Sequence, residues 1–275
     1  MSDNAHPLPF ALSPDALARL LGSPRWPQII DVRAADIRAS QPDLPAARWT
    51  ANGSGAAVAA LIDPSRPVVI ACKAGHNRSQ RTAAELRELG ISASILAGGS
   101  LGWAAAGHPT LPRAAADAYG GPARVWVTRR RPKIDRVACP WLIRRFLDPE
   151  ARILFVEPDQ VLAVAADTGG IAFDTPGAPI EHDGPRCSFD TLLEACGLAG
   201  FAPLAELAVI VRAADTDDLA SSPQAAGYLA ASLGLSALAG DDDQAMLRHG
   251  FVMLDGLYAW ITTARSETHS WTNRA

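Results

Sequence analysis

The stretch that decides the fold is Cys72-Lys73-Ala74-Gly75-His76-Asn77-Arg78-Ser79. The apolar residues 68–71 precede it and predict a buried strand, and residues 81–90 follow it with the pattern of a helix that ends at a glycine. We therefore expect Cys72 in the turn between a strand and a helix. In such a turn, free backbone N–H groups and the positive end of the helix dipole attract an anion and lower the pKa of a thiol.

Helix-like and strand-like segments alternate from residue 10 to about residue 112, with strands expected at residues 28–33, 67–71 and 91–96. This alternation predicts an α/β fold in which a mostly parallel sheet carries helices on both faces. Ligands of such sheets bind at the carboxyl ends of the strands. Cys72 follows one of these ends directly.

The pattern changes after residue 112. Residues 113–123 contain Gly120-Gly121-Pro122 and have the composition of a linker. We predict a first domain over 1–112, a linker over 113–123, a mostly helical α+β domain over 124–265 and a flexible tail over 266–275. In the second domain, strands are expected at 124–128 and 152–156, and helices at 141–147, 190–196, 203–213, 223–233 and 242–263.

Composition narrows the class of protein. The chain has 275 residues, enough for two domains, with 48% hydrophobic and 20% charged residues. No apolar run reaches the roughly 18 to 20 residues of a membrane helix, and residues 1–7 lack the features of a signal peptide. We therefore expect a cytoplasmic protein that makes no contact with a membrane. The four cysteines have no paired short spacing, which favours free thiols. The net charge of −4 makes nucleic acid an unfavourable partner.

The first domain resembles the rhodaneses, sulfurtransferases whose active-site cysteine holds a persulfide. By this resemblance Cys72 is the catalytic nucleophile, Asp31 and Arg33 are supports near the loop, and no cofactor is required. The implied partners are a small sulfur donor such as thiosulfate and a thiol acceptor. The anion-binding cradle consists of Lys73, Ala74, Gly75, His76, Asn77 and Arg78. The resemblance is carried by Asp31-Val32-Arg33, Cys72-x-x-Gly75, Gly98-Gly99, Gly102-Trp103 and Ala106-Gly107-His108-Pro109.

The loop departs from the rhodanese pattern in its length. From Cys72 to Arg78 it is one residue longer than in most rhodanese sulfurtransferases, and it matches the spacing of cysteine phosphatases that share the fold. The histidine that usually precedes the phosphatase cysteine is Ala71 here. Three interpretations stay open: a sulfurtransferase, a phosphatase or oxyanion reductase in which Arg78 clamps a tetrahedral anion, and a sensor that only binds anions.

Two groups of residues in the second domain have chemical potential. The basic run 129–136, with Arg144 and Arg145 after it, is interpreted as a solvated face, an anion site or a nucleic-acid contact. His182 and Cys187 have a spacing that fits a loop folded around one metal ion, with Asp174 and Asp215 as further ligand types. Because no paired Cys or His motif accompanies them, a polar loop without metal is the alternative.

The second domain also resembles a known family, the carboxy-terminal domain of ChrB-type chromate-resistance proteins. This resemblance implies chromate as a further partner. The better-known members are regulators with a different amino-terminal domain thought to bind DNA, so that role does not carry over. The residues that carry the resemblance are 131–146, Phe173-Asp174, Pro176-Gly177, His182, Cys187-Ser188-Phe189, 212–216, 223–227 and 257–260, and Cys139 is a further residue to test.

Overall fold

The structure is a computed structural model and describes residues 9–267. The first residues, on which the signal-peptide prediction rests, and most of the predicted tail lie outside the described part of the chain.

The first half contains a five-stranded, fully parallel sheet. The strands are β1 Ala11–Leu12, β2 Gln28–Asp31, β3 Ala47–Trp49, β4 Val68–Ala71 and β5 Ala93–Leu96. Their order in the sheet is β1-β5-β4-β2-β3, which confirms the predicted α/β fold. The edge strands β1 and β3 were not predicted, because two or three residues are too few to show a period.

Helices cover both faces of this sheet. Alternate residues of each strand point to opposite faces, and Ile29 and Val69 join one core cluster while Ile30 and Ile70 join another. The helices are α1 Pro14–Ala18, α2 Ala35–Ala39, α3 Gly55–Ala59, α4 Asn77–Glu88 and α5 Gly99–Ala105. The first cluster includes residues of α1 and α5, and the second includes residues of α3 and α4, so each face of the sheet is covered by its own helices.

The predicted linker, residues 113–123, is not irregular throughout. Its first part forms α6, Arg113–Tyr119, with Ala115 and Ala116 buried. Arg113 pairs with Asp43 of the first half and with Asp117 one helical turn ahead. The alanines that suggest a linker by composition are strong helix formers, and they have a surface to pack against.

The second half has a small parallel sheet and many helices, as the fold class predicted. The strands are β6 Val125–Arg129, β7 Arg152–Val156 and β8 Ile171–Ala172, and their order in the sheet is β7-β6-β8. The helices are α7 Asp135–Leu142, α8 Val161–Thr168, α9 Ser188–Ala195, α10 Ala202–Asp215, α11 Ala225–Ala239 and α12 Asp243–Ala259.

Two of these helices differ from the sequence prediction. The helix expected at 141–147 begins earlier, at Asp135, and continues as a π-helical turn over Ile143–Leu147. The helix α8 was not predicted.

The two halves share one continuous apolar core. Trp26 and Trp103 of the first half belong to the same buried cluster as Trp126 and Trp141 of the second. The backbone also crosses the boundary, since the Ala46 N–H donates to the Phe146 carbonyl at 2.8 Å. Within residues 9–267, no helix is long and apolar enough to cross a membrane.

A pair of glycines brings α5 against the loop that follows β4. The N–H of Ser100 donates to the Cys72 carbonyl at 2.8 Å, and the N–H of Leu101 donates to the Lys73 carbonyl at 3.0 Å. This approach requires Gly99, which has φ +59° and whose added Cβ would overlap the Cys72 carbonyl oxygen and lie 2.7 Å from the Ala74 nitrogen. The start of α5 therefore determines the path of the loop.

We predict that Gly99→Ala destabilises the protein more than Gly107→Ala. Both glycines have positive φ, but a Cβ on Gly107 meets no atom within 4 Å. The control should lose about 1 kcal/mol from backbone strain alone. Gly99→Ala should lose about 1–3 kcal/mol more, because the backbone must move to admit the methyl group. Urea unfolding measures both losses, and equal losses would contradict the close approach of α5.

Candidate functional site

Cys72 lies at the carboxyl end of β4 and is 5% exposed. Its Sγ is 3.2 Å from the Ser79 hydroxyl oxygen. Ser79 is buried in the first turn of α4, so the sulfur faces the positive end of that helix. Ser79 ends the sequence motif, but no role was predicted for it from the sequence. In the structure its hydroxyl contacts the Cys72 sulfur.

The surroundings of Cys72 favour a thiolate. Burial raises the pKa of the thiol, but hydrogen bonds to the sulfur from the Ser79 hydroxyl and from the backbone N–H groups of Ser79, Ala74 and His76 outweigh it. The pKa is therefore lowered from its ordinary value. Several donors directed at one sulfur also suit a bound anion or a charged group carried on that sulfur.

Gly75 gives the cradle its shape. Its φ is +72°, and an added Cβ would lie 2.8 Å from the Leu96 carbonyl oxygen and 2.9 Å from the Gly98 nitrogen. A side chain at this position would therefore push the loop away from β5 and α5.

The other cradle residues differ in their surroundings. Lys73, His76 and Asn77 are exposed, while Ala74 is half-buried. Arg78 donates through Nε to the Val32 carbonyl at 2.7 Å. Among the described residues no hydrogen bond joins the Arg78 guanidinium to Cys72, so Arg78 here anchors α4 to the end of β2.

Asp31 and Arg33 lie behind the cradle in a buried ion network. Arg33 contacts Asp31 at 2.7 Å and Asp43 at 2.6 Å. It also donates to Gln41 at 3.4 Å, and Gln41 accepts from the Ser100 hydroxyl at the start of α5. The network thus reaches the helix that fixes the Cys72 loop. Asp43 belongs to none of the sequence motifs and could not be singled out from sequence.

A second cluster of functional groups lies in the other half of the chain. His182 Nε2 is 3.2 Å from Asp135 Oδ2, 3.4 Å from Asp174 Oδ1 and 3.2 Å from Asp215 Oδ2. We call these four residues the carboxylate cluster. The structure therefore brings together His182, Asp174 and Asp215, as the sequence suggested, and adds Asp135.

His182, Asp174 and Asp215 have shifted pKa values in this cluster. The hydrogen bond to Asp135 raises the pKa of His182 to about 9, and burial opposes it. Burial and the neighbouring Asp135 raise the pKa of Asp215 to about 7, and the same two causes raise that of Asp174.

Cys187 belongs to the neighbourhood of this cluster without contacting His182. Its Sγ lies within 4.8 Å of carboxylate oxygens of Asp135 and Asp215 and donates to Asp190 at 3.4 Å. It is fully buried, and burial raises the pKa of its thiol. Cys139 is equally buried, and burial raises its pKa too. Burial therefore favours the protonated form of both thiols, whereas hydrogen bonds lower the pKa of Cys72.

The basic run supplies partners for acidic side chains. Arg129 and Arg136 contact Asp174 Oδ2 at 2.7 Å and 3.1 Å, and Arg130 contacts Glu157 and Asp241. Asp135 is the one acidic residue within this basic run, and that exception was the available sequence signal.

A cavity of about 380 Å³ lies elsewhere, between the two halves. Its lining includes Trp26, Trp49, Arg124 and Arg144. Cys72 and His182 do not line it, but Asp43 of the ion network behind the cradle does.

The solved structures that resemble this chain include three that each cover about a third of it. A rhodanese-related protein from Thermoplasma volcanium is 16% identical, covers 37% of this chain and 96% of its own, and has a TM-score of 0.31. A rhodanese-like domain protein from Staphylococcus aureus is 23% identical over 34% and 89%, with a TM-score of 0.29. A Rhodopseudomonas palustris protein of unknown function, titled a possible tyrosine phosphatase, is 20% identical over 36% and 83%, with a TM-score of 0.30.

Sequence comparison covers both halves. Protein ChrB of Cupriavidus metallidurans is 36% identical over 160 residues, which are 56% of this chain and 45% of that protein, so the chain spans less than half of its length. The family model of the rhodanese-like domain matches residues 13–106, and that of the ChrB C-terminal domain matches residues 126–261. Both resemblances seen in the sequence are confirmed. The chain joins a rhodanese-like domain to a ChrB C-terminal domain.

Proposed function

We propose that this protein is a sulfurtransferase that works in chromate resistance, with Cys72 as the residue that carries sulfur. The observation that supports it most directly is the set of donors around Cys72 Sγ. The Ser79 hydroxyl and three backbone N–H groups lower the pKa of the thiol despite its burial. A thiolate is the form of cysteine that attacks sulfur.

The first step is the attack of the Cys72 thiolate on the outer sulfur of thiosulfate. A new S–S bond forms to Cys72, the S–S bond of thiosulfate breaks, and sulfite leaves with the electron pair. In the second step an acceptor thiolate attacks the outer sulfur of the persulfide, and Cys72 leaves as the thiolate. No external oxidant or reductant is consumed.

The cradle suits both steps. The N–H groups of Ala74, His76 and Ser79 that face the thiolate can also stabilise negative charge on the persulfide and on the departing sulfite. Because α5 fixes the loop before substrate arrives, these donors need no reorganisation during the reaction.

The second domain links this rhodanese-fold protein to chromate resistance through its relation to ChrB. We propose that this domain binds or senses chromate while the first domain transfers sulfur. We do not propose DNA binding, because a rhodanese-like domain occupies the amino-terminal position that a different domain, thought to bind DNA, has in the ChrB-type regulators.

The thiolate can be tested by alkylation. The rate of iodoacetamide reaction at Cys72 should rise with pH to a plateau whose midpoint lies below that of an ordinary thiol, since the pKa is lowered. Ser79→Ala should move the midpoint upward and slow alkylation at neutral pH by about tenfold, because a hydrogen bond to a charged atom contributes about 1.5 kcal/mol. Peptide mass spectrometry assigns the site. An unchanged profile in Ser79→Ala would contradict the role of this hydroxyl.

Turnover tests the transfer itself. With thiosulfate as donor and cyanide as acceptor, the wild type should form thiocyanate, and Cys72→Ser should reduce the rate to background. Cys196→Ser is the matched control, because Cys196 is buried but lies in the second half, away from the cradle. It should retain wild-type turnover.

An arylphosphate assay on the same proteins distinguishes the alternatives. Phosphate release that depends on Cys72 would support a phosphatase instead. The spacing from Cys72 to Arg78, which matches that of cysteine phosphatases, is the reason for testing this alternative. Absence of both activities in a folded protein would contradict the enzyme and support a site that only binds anions.

A further inference from the structure

We propose that the carboxylate cluster is a binding site for one divalent first-row metal ion, with His182, Asp135 and Asp174 as its ligands and Asp215 as an outer contact of His182. The site is independent of the sulfur chemistry at Cys72, so either proposal can fail without the other.

The distances around His182 Nε2 are the first argument. Three carboxylate oxygens lie 3.2, 3.2 and 3.4 Å from this one nitrogen. A charge-assisted hydrogen bond is shorter, about 2.7–2.9 Å, and one N–H cannot serve three acceptors well. Ligands bound to one ion at about 2.1 Å are separated by about 3.0 Å in octahedral and about 3.4 Å in tetrahedral geometry. The spacings from His182 Nε2 to Asp135 and Asp174 are also those of ligands around a common ion, and the donor atoms of these three residues all lie within 4.8 Å of one another.

The origin of the ligands is the second argument. Asp135 opens α7, Asp174 follows β8, His182 lies in the loop before α9, and Asp215 is the last residue of α10. Three parts of the chain distant in sequence, one of which supplies both Asp174 and His182, thus bring these side chains together. Asp135 and Asp174 are each 3% exposed, so these carboxylates have little access to water.

The contacts behind the ligands form the third argument. Arg129 and Arg136 bind Asp174 through Oδ2, which leaves Oδ1 toward His182. The Ser188 hydroxyl donates to the same Oδ1 at 3.0 Å, and the Ser188 N–H donates to Asp135 Oδ2 at 3.3 Å. Such outer contacts orient ligands in metal sites. The described ion pairs give neither Asp135 nor Asp215 an arginine or lysine partner.

The donor set indicates the class of ion. One imidazole nitrogen with two carboxylate oxygens, completed by water, suits Mn²⁺, Fe²⁺ or Zn²⁺ better than a soft ion. The His182 side chain is 44% exposed, so an ion can reach the cluster from solvent. Cys187, predicted from sequence as a ligand beside His182, lies on the side of Asp135 and Asp215 and is not needed for this site.

The test is metal binding by the full chain after removal of bound ions with a chelator. We expect one equivalent of Mn²⁺ or Zn²⁺, each titrated alone, by calorimetry and by elemental analysis after dialysis. His182→Ala and Asp215→Asn should each weaken binding by at least about tenfold, because the loss of even an outer contact of a metal site reduces metal affinity by about that factor. Asp217→Asn is the matched control, because Asp217 is exposed and two residues from Asp215. It should bind as the wild type does.

Circular dichroism of the apo proteins shows whether each variant folds, and His182, being partly exposed, is the position least expected to disturb folding. Failure of folded wild type to retain either ion would overturn the proposal and leave a cluster of ion pairs. Unchanged affinity in both His182→Ala and Asp215→Asn would overturn it equally, because the ion would then lie elsewhere.

Discussion

The contact between the start of α5 and the loop after β4 is the constraint on which the first site depends. Backbone N–H groups of Ser100 and Leu101 bind the carbonyls of Cys72 and Lys73. With those carbonyls held toward α5, the N–H groups of the cradle remain free to face the sulfur. Two neighbouring glycines allow the approach, so a motif of small residues far from the cysteine in sequence determines the electrostatics of its thiol.

The two halves create opposite electrostatic environments within one continuous core. At Cys72, backbone donors and a helix N-terminus favour a negative sulfur or a bound anion. At His182, three buried or half-buried carboxyl groups favour a positive centre. The cysteines follow the same division, since hydrogen bonds lower the pKa of Cys72 whereas burial raises the pKa values of Cys139 and Cys187. The proposed anion site and the proposed cation site therefore lie in different halves of the chain.

Local patterns predicted the central strands and the position of Cys72, because periodicity and turn residues act over short distances. They could not predict β1 and β3, which are held by pairing with distant strands, or α6, whose alanines needed a surface. The same limit applies to the sites. The Cys72 loop is contiguous in sequence and can be recognised as one motif, whereas Asp43 and Asp135 have partners that are distant in sequence.

The central claim is that the cradle holds Cys72 as a sulfur-accepting thiolate, and the mass of the protein tests it most directly. After incubation with thiosulfate and removal of excess reagent, intact-protein mass spectrometry should show the addition of one sulfur atom. The addition should map to the peptide containing Cys72 and disappear on treatment with a reducing thiol. A protein that stays at its original mass while Cys72 remains open to iodoacetamide would contradict the account.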